Sequence, residues 1–300
     1  MDITRIVVGV DFSPESEVAA RYAVKIGRHT GAEVVLVHVG MVIDREPAGP
    51  RSGISAVSQQ WEQLITSQLA ADRDKLSDLR SRLASNLPEV SQMVIDGFAD
   101  TGLCEAAKTL GANLIITGTR GRTAIQRFFL GSVAERVVRM CETNVMVARA
   151  GADEGSSTFK RILVPTDFSP QSEQALRLAM ILAGENSEID VFHAWNTPPE
   201  MALEWSGPIL KELASEVDEA GKKILESHRR DDLTIRFSAI RAFAAEGIAD
   251  RLDERPYDLV VMGSHGRRGL RRFLLGSIAE KTVRHAPCSV IVVHQGSDVE

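Results

Sequence analysis

Cysteine is nearly absent from this chain. Cys104, Cys141 and Cys288 are its full complement in 300 residues, and no C-x-x-C pair occurs. That argues against a disulfide framework or a zinc knuckle and fits a reducing cytoplasm. Long apolar runs are lacking too. None approaches the roughly 20 residues that a spanning helix needs, so no membrane insertion is expected. The start, Met1-Asp-Ile-Thr-Arg-Ile-Val-Val, has no basic head, long apolar stretch or small-residue cleavage site, and reads as a first strand rather than a secretory leader. Aromatics make up 5% and the formal charge is −6, which argues against a specific nucleic-acid binder. The seven histidines show no metal-ligand spacing, so no protein-built metal site is expected. Two familiar phosphate motifs are missing as well: no G-x-x-x-x-G-K-[ST], and no G-x-G-x-x-G after the first strand.

What the chain does have, it has twice. Residues 118–132 read G-T-R-G-R-T-A-I-Q-R-F-F-L-G-S, and residues 263–277 read G-S-H-G-R-R-G-L-R-R-F-L-L-G-S. Each copy follows an apolar β-branched run and precedes a helical pattern. The repeat extends further: Arg5-Ile-Val-Val-Gly-Val-Asp-Phe-Ser-Pro matches Arg161-Ile-Leu-Val-Pro-Thr-Asp-Phe-Ser-Pro, and Val34-Val-Leu-Val-His-Val matches Ile189-Asp-Val-Phe-His-Ala. Two domains follow, 1–150 and 160–300, joined by a small, polar linker at 151–159.

Each half alternates Val/Ile-rich runs with helical patterns, which predicts an α/β fold with parallel strands and helices on both faces. Strands are expected near 4–10, 33–39, 90–96, 113–119 and 144–149, then near 160–166, 188–195, 233–240, 258–264 and 289–294. Helices are expected near 14–30, 57–86, 101–110 and 132–142, then near 170–185, 207–229, 244–255 and 277–286. Ser13 and Ser169 are placed to cap the first helix of each half, with Pro14 and Pro170 following. Asp11 and Asp167 therefore sit at the carboxyl end of the first strand, where open α/β sheets bind ligands. The stretch 40–60 and its counterpart Asn196-Thr-Pro-Pro-Glu read as surface loops.

A loop between strand and helix points several backbone N–H groups at one anion, and glycine permits positive φ and close approach of the ligand to the main chain. Gly118, Gly121, Gly131 and Ser132 form one such cradle; Gly263, Gly266, Gly276 and Ser277 form the other. Arg122 and Arg127 in the first, and His265 and Arg267 in the second, are candidate phosphate contacts; Arg268, Arg271 and Arg272 add positive charge.

These motifs resemble the ATP-binding subgroup of the universal stress protein family, whose signature G-x-x-G-x(9)-G-[ST] both halves match. The resemblance covers nearly the whole chain outside the linker. It implies five parallel strands per domain in the order 3-2-1-4-5, with ATP, AMP or ADP at their carboxyl ends. It also implies that the fifth strands pair between the domains, making an intramolecular pseudo-dimer, and that a homodimer of chains is plausible. By position, Asp11 and Asp167 belong beside the ribose, Val39 and Ala194 beside adenine, and the eight cradle residues beside the phosphates. A divalent cation such as Mg2+ would arrive with ATP, held by phosphates and water. Gly9 in one half stands against Pro165 in the other, so equal occupancy of two sites does not follow.

The remaining candidates read more plainly. His38 and His193 recur and fit hydrogen-bonded strand-end histidines better than catalytic ones. Cys141 and Cys288 are out of register and read as buried small hydrophobes rather than a redox pair. Glu135 and Glu280, three residues after Ser132 and Ser277, make an S-x-x-E capping box. Fast phosphoryl transfer needs a positioned metal, a group orienting the nucleophile and a charge clamp. No repeated base stands near the cradles other than Asp11 and Asp167, at the adenosine end. The expectation is a stress-response regulator in the cytoplasm that binds adenine nucleotide and answers to an unidentified protein partner. The rival is a slow ATPase or phosphotransferase on the same scaffold.

Overall fold

The computed structural model describes residues 2–40, 55–87, 89–119, 121, 130–151, 158–196, 207–266 and 275–294, with backbone only at 55–62 and 65. Most of the 40–60 loop, its counterpart after Asn196 and most of the linker lie outside these residues. The first half runs β1 (Arg5–Gly9), α1 (Pro14–Thr30), β2 (Glu33–Gly40), α2 (Ser55–Ala84), β3 (Val90–Asp96), α3 (Ala99–Leu110), β4 (Leu114–Gly118), α4 (Ser132–Met140) and β5 (Asn144–Ala148). The second runs β6 (Phe159–Pro165), α5 (Pro170–Leu182), β7 (Ala183–Trp195), α6 (Gly207–Ser227), β8 (Leu233–Arg241), α7 (Ala244–Glu254), β9 (Leu259–Gly263), α8 (Ser277–His285) and β10 (Ser289–Val293).

Local chemistry sets the element ends. The Ser13 and Ser169 hydroxyls accept from the amides of Ser16 and Ser172 at 3.2 and 3.3 Å, capping α1 and α5. Gly31 ends α1 and Gly111 ends α3 in left-handed conformations, at φ 76° and 63°. The helix expected to reach 185 stops at Leu182. Ala183 is already extended and pairs with Phe159, and Asn186 turns left-handed at φ 60°.

The strands form one sheet in the order β3-β2-β1-β4-β5-β10-β9-β6-β7-β8. Pairs within each half are parallel, and each half carries the order 3-2-1-4-5. The halves join where β5 and β10 run antiparallel, with Val145, Met146 and Val147 opposite Val292, Ile291 and Val290. The expected pairing of the fifth strands thus joins the two five-stranded halves into a single ten-stranded sheet.

The core has two layers, and both run through both halves. One face of the sheet is covered by α1, α2, α5 and α6, with Ile26, Leu76 and Leu178 deep in the packing. The other is covered by α3, α4, α7 and α8, through Leu103, Val137, Ile248 and Val283. Polar links reinforce the seam. Arg149 donates to the carbonyls of Val283 and Arg284 at 2.9 and 3.1 Å, and the His294 amide donates to Asn144 at 3.1 Å. Outside, Arg139 and Arg284 each contact both Glu135 and Glu280, at 3.2–3.7 Å.

That square of charges corrects the capping-box reading. Gly131 and Gly276, not the serines, are the N-caps of α4 and α8, and neither cap makes a side-chain hydrogen bond. The amide that a capping-box glutamate would satisfy is already taken: Gly131 donates to the Thr119 carbonyl at 2.7 Å and Gly276 to that of Ser264 at 2.8 Å. Each glutamate is left to face the arginine of its own helix and that of the opposite domain. A second correction concerns cysteine. Cys141 is not an isolated hydrophobe; it is disulfide-bonded to Cys104, with Cα atoms 5.3 Å apart. Cys288 is free and buried, as expected.

The halves anchor their equivalent helices differently. In the second half, buried Asp190 on β7 takes a two-pronged contact from Arg251 of α7 at 2.8 and 2.7 Å, a bond from Ser238 at 3.1 Å, and another from the Tyr257 hydroxyl. Burial, with the Asp190 carboxylate adding to it, pushes Tyr257 well above the ordinary tyrosine range. In the first half, Val35, Ala106 and Ala112 stand at the matching repeat positions and pack as apolar side chains.

Two outcomes follow for stability. Because both core layers cross the seam, calorimetric and circular-dichroism melts of the full chain should coincide in one transition; two resolved transitions would mean the halves fold separately. Arg251→Met leaves a buried carboxylate without its counter-charge and should cost about 3 kcal/mol in denaturant unfolding. A change within about 0.5 kcal/mol would show that the pair does not hold α7 to the sheet.

Candidate functional site

The carboxyl end of the first strand in each half is shaped by a strained residue. Phe12 and Phe168, between the aspartate and the capping serine, take left-handed backbone at φ 63° and 62°. A bulky side chain rarely adopts that conformation. Here neighbours hold it: the Phe12 ring packs on His38 with centroids 4.7 Å apart, and Phe168 on His193 at 4.5 Å. Each histidine Nδ1 donates to a carbonyl at the strand exit, Val10 in one half and Thr166 in the other, both at 2.7 Å. The recurrent histidines thus fix the turn that aims the aspartate. The D-F-S-P repeat carried the signal for the phenylalanines, although nothing in residue type alone marks them as strained.

His38 also ties α2 to this turn. Its Nε2 lies 3.5 Å from Asp72, a buried carboxylate. Burial pushes Asp72 up, but hydrogen bonds from Gln68 and Lys75 and attraction to His38 and Lys75 outweigh it and hold the group below the usual carboxylate range.

The turn delivers the aspartates to the glycine loops. Asp11 Oδ1 accepts from the Ser13 amide at 3.0 Å and its hydroxyl at 2.5 Å; Asp167 Oδ1 accepts from the Ser169 amide at 3.1 Å. The second oxygen faces the loop. A Cβ placed on Gly121 would come within 2.6 Å of Asp11 Oδ2, and one on Gly266 within 2.6 Å of Asp167 Oδ2. The same contact is therefore built in both halves.

Close approach, not left-handed backbone, is the reason for these glycines. The glycines with positive φ among the described residues are Gly31, Gly97 and Gly111, none of them in a cradle. At Gly118 a Cβ would run into the Glu15 backbone at 2.7 Å, and at Gly276 into the Ser264 carbonyl at 3.0 Å. Gly263 is less tight, with Gln171 Cβ at 3.1 Å. The first glycine of each loop thus packs strand against helix, and the second borders the carboxylate. Ser132 and Ser277 are exposed at the first turns of α4 and α8. The bonds from Gly131 to Thr119 and from Gly276 to Ser264 close the base of each loop.

Val39 and Ala194 are half-buried past the second strand's histidine. Each lies against a helix glycine: Cβ atoms on Gly102 and Gly247 would sit 3.4 Å from Val39 Cγ and 3.2 Å from Ala194 Cβ. The matched F-A-x-x-G starts of α3 and α7 were the available sign of this contact. His265 is half-buried, its Nδ1 is 3.1 Å from the Ser264 hydroxyl, and burial pushes it below its ordinary value. Arg122, Arg127, Arg267, Arg268, Arg271 and Arg272 lie outside the described residues.

Two cavities lie elsewhere. One of about 290 Å³ between α5 and α6 is lined by Phe168, Leu176 and Ile224, and another of about 680 Å³ near the seam by Tyr22, Arg161, Tyr257 and Cys288. Neither is lined by Asp167 or a cradle glycine. Among the described residues, no cluster of three or more potential metal ligands occurs and no helix is long and apolar enough to cross a membrane.

Known proteins match this architecture along its whole length. The model of the universal stress protein family matches residues 2–149 and again 158–294. A universal stress protein of Mycolicibacterium smegmatis is 27% identical over 300 residues, 96% of each chain. One from Mycobacterium tuberculosis is 28% identical over 295 residues, 97% of each. The crystal structure of a universal stress protein from Archaeoglobus fulgidus superposes with a TM-score of 0.64 at 19% identity, covering 97% of this chain and 98% of that one, a likeness of fold. With the family pattern matched once in each half, the chain belongs to the universal stress protein family and carries two of its domains in tandem.

Proposed function

We propose that the chain binds two adenine nucleotides, one per half, as ATP, ADP or AMP, and acts as a stress-response regulator whose nucleotide state a partner protein reads. The observation that carries this reading is the twofold contact of an anchored carboxylate with the second glycine of a loop, Asp11 with Gly121 and Asp167 with Gly266. A carboxylate at the carboxyl end of a strand is a charge-assisted acceptor suited to a ribose hydroxyl. The glycine beside it lets the loop's main chain and the carboxylate lie against each other. Beyond it, α4 and α8 begin with glycine, an exposed serine and no side-chain cap, so their first amides and the positive dipole end are turned toward an anion. Val39 and Ala194 would border the base. A divalent cation would come with the nucleotide, on phosphate and water oxygens. With the carboxylates on the adenosine side, hydrolysis would be slow at most.

Titration calorimetry with ATP is expected to give saturable binding at about two sites per chain. Asp11→Ala and Asp167→Ala should each weaken one site roughly tenfold or more, the worth of a charge-assisted hydrogen bond, without lowering the melting temperature much. No heat at millimolar ATP would sink the proposal. Turnover of about 1 per second, lost in Asp11→Ala, would favour the ATPase instead.

His265 supplies a separate check. Burial favours its neutral form. A phosphate beside it favours the protonated ring, so nucleotide should raise its pKa, and affinity at the second site should grow as pH falls. Histidine NMR titrations with and without ATP read this directly. An unchanged His265 curve would remove it from the phosphate site.

A further inference from the structure

One covalent bond joins the two helices that border the first nucleotide site. Cys104 lies in the second turn of α3, and Cys141 is the C-cap of α4. α4 begins at the phosphate cradle, and α3 carries Gly102, which packs on Val39 at the adenine side. The bond therefore sets the spacing between the two walls of the site. An ion pair from Arg136 of α4 to Asp100 of α3, at 2.6 Å, holds the same helices nearer the site.

The second half provides an internal control. Aligned on their N-cap residues, Phe98 with Phe243 and Gly131 with Gly276, the repeats put Ala249 in place of Cys104 and Ala286 in place of Cys141. Ala245 and Lys281 replace Asp100 and Arg136. Neither link is available there, and α7 is tied instead to Asp190 by Arg251, a contact that no thiol reagent breaks. Disulfides that serve only as staples belong to small domains with little core. This sheet, buried on both faces across both halves, is not such a case.

We propose that Cys104 and Cys141 form a reversible thiol–disulfide site whose oxidised form tightens nucleotide binding in the first half and leaves the second half unaffected. The coupling rests on the nucleotide reading above. Cys104 is half-buried and Cys141 buried, so exchange is assigned to begin at Cys104. The thiolate of a small thiol attacks Cys104 Sγ, the disulfide breaks, and the Cys141 sulfur leaves with the electron pair and takes up a proton. A second small thiolate then attacks the sulfur of the bound small thiol, and the Cys104 sulfur leaves with the electron pair and takes up a proton, giving two protein thiols and one small disulfide. Oxidation is the reverse exchange, with a low-molecular-weight disulfide as oxidant. Cys288 takes no part: burial, with Asp258 adding to it, pushes its thiol up to about 12.

The test uses the full chain equilibrated in defined ratios of reduced and oxidised glutathione. Alkylation and intact-mass measurement should show the Cys104–Cys141 pair interconverting in the folded protein. ATP titration should show the first site about fivefold or more weaker when the pair is reduced, with the second unchanged. The double variant Cys104→Ala/Cys141→Ala, which carries the second half's own residues, should bind like the reduced protein in either buffer. Hydrogen exchange in α3 and α4 should quicken on reduction, with or without ATP. A pair that glutathione does not interconvert, or one whose state leaves both affinities equal, overturns the proposal. If ATP binds in neither state, the nucleotide reading itself fails and the coupling with it.

Discussion

β5 and β10 are buried along their whole length, yet each would be an open edge without the other. An apolar strand with unpaired amides and carbonyls on one side is a standing invitation to aggregate. Joining the two antiparallel satisfies those groups and lets both core layers run on from one half into the next. The position of both cradles follows from this pairing. α4 and α8 precede the paired strands, lie side by side across the seam, and exchange charges through Arg139, Glu280, Arg284 and Glu135. The carboxyl ends of the first strands are thereby fixed relative to the starts of α4 and α8.

Around that frame the two halves have diverged in how they hold one helix. α7 is tied down by charge, through Arg251 and buried Asp190. α3 is held by apolar packing, an ion pair and a disulfide. The first solution responds to thiol chemistry and the second does not. Two sites of like design can thus differ in behaviour without any change in the glycine loops.

Much of this was legible in the sequence because the repeat supplied each signal twice. The Val/Ile runs and helical patterns placed the elements, and Ser13-Pro14 and Ser169-Pro170 marked helix starts that the structure repeats. The S-x-x-E spacing misled because it assumes that serine is the N-cap. A glycine one residue earlier, with its amide bonded to a loop carbonyl, takes that role and frees the glutamate for the seam. The disulfide was hidden because residues 37 apart meet only once α3 and α4 pack together. The left-handed phenylalanines were hidden for the opposite reason: residue type argues against such a backbone, and only packing on His38 and His193 explains it. At Gly118 the glycine was legible, but the close approach of the Glu15 backbone to it was not.

The central claim is that one chain holds two adenine nucleotides, each between an anchored aspartate and a glycine-started helix. Native mass spectrometry of the intact chain with increasing ATP tests it most directly. The account predicts species carrying one and then two nucleotides, with saturation at two. A bare chain at millimolar ATP, or a non-saturating ladder of adducts, would contradict it.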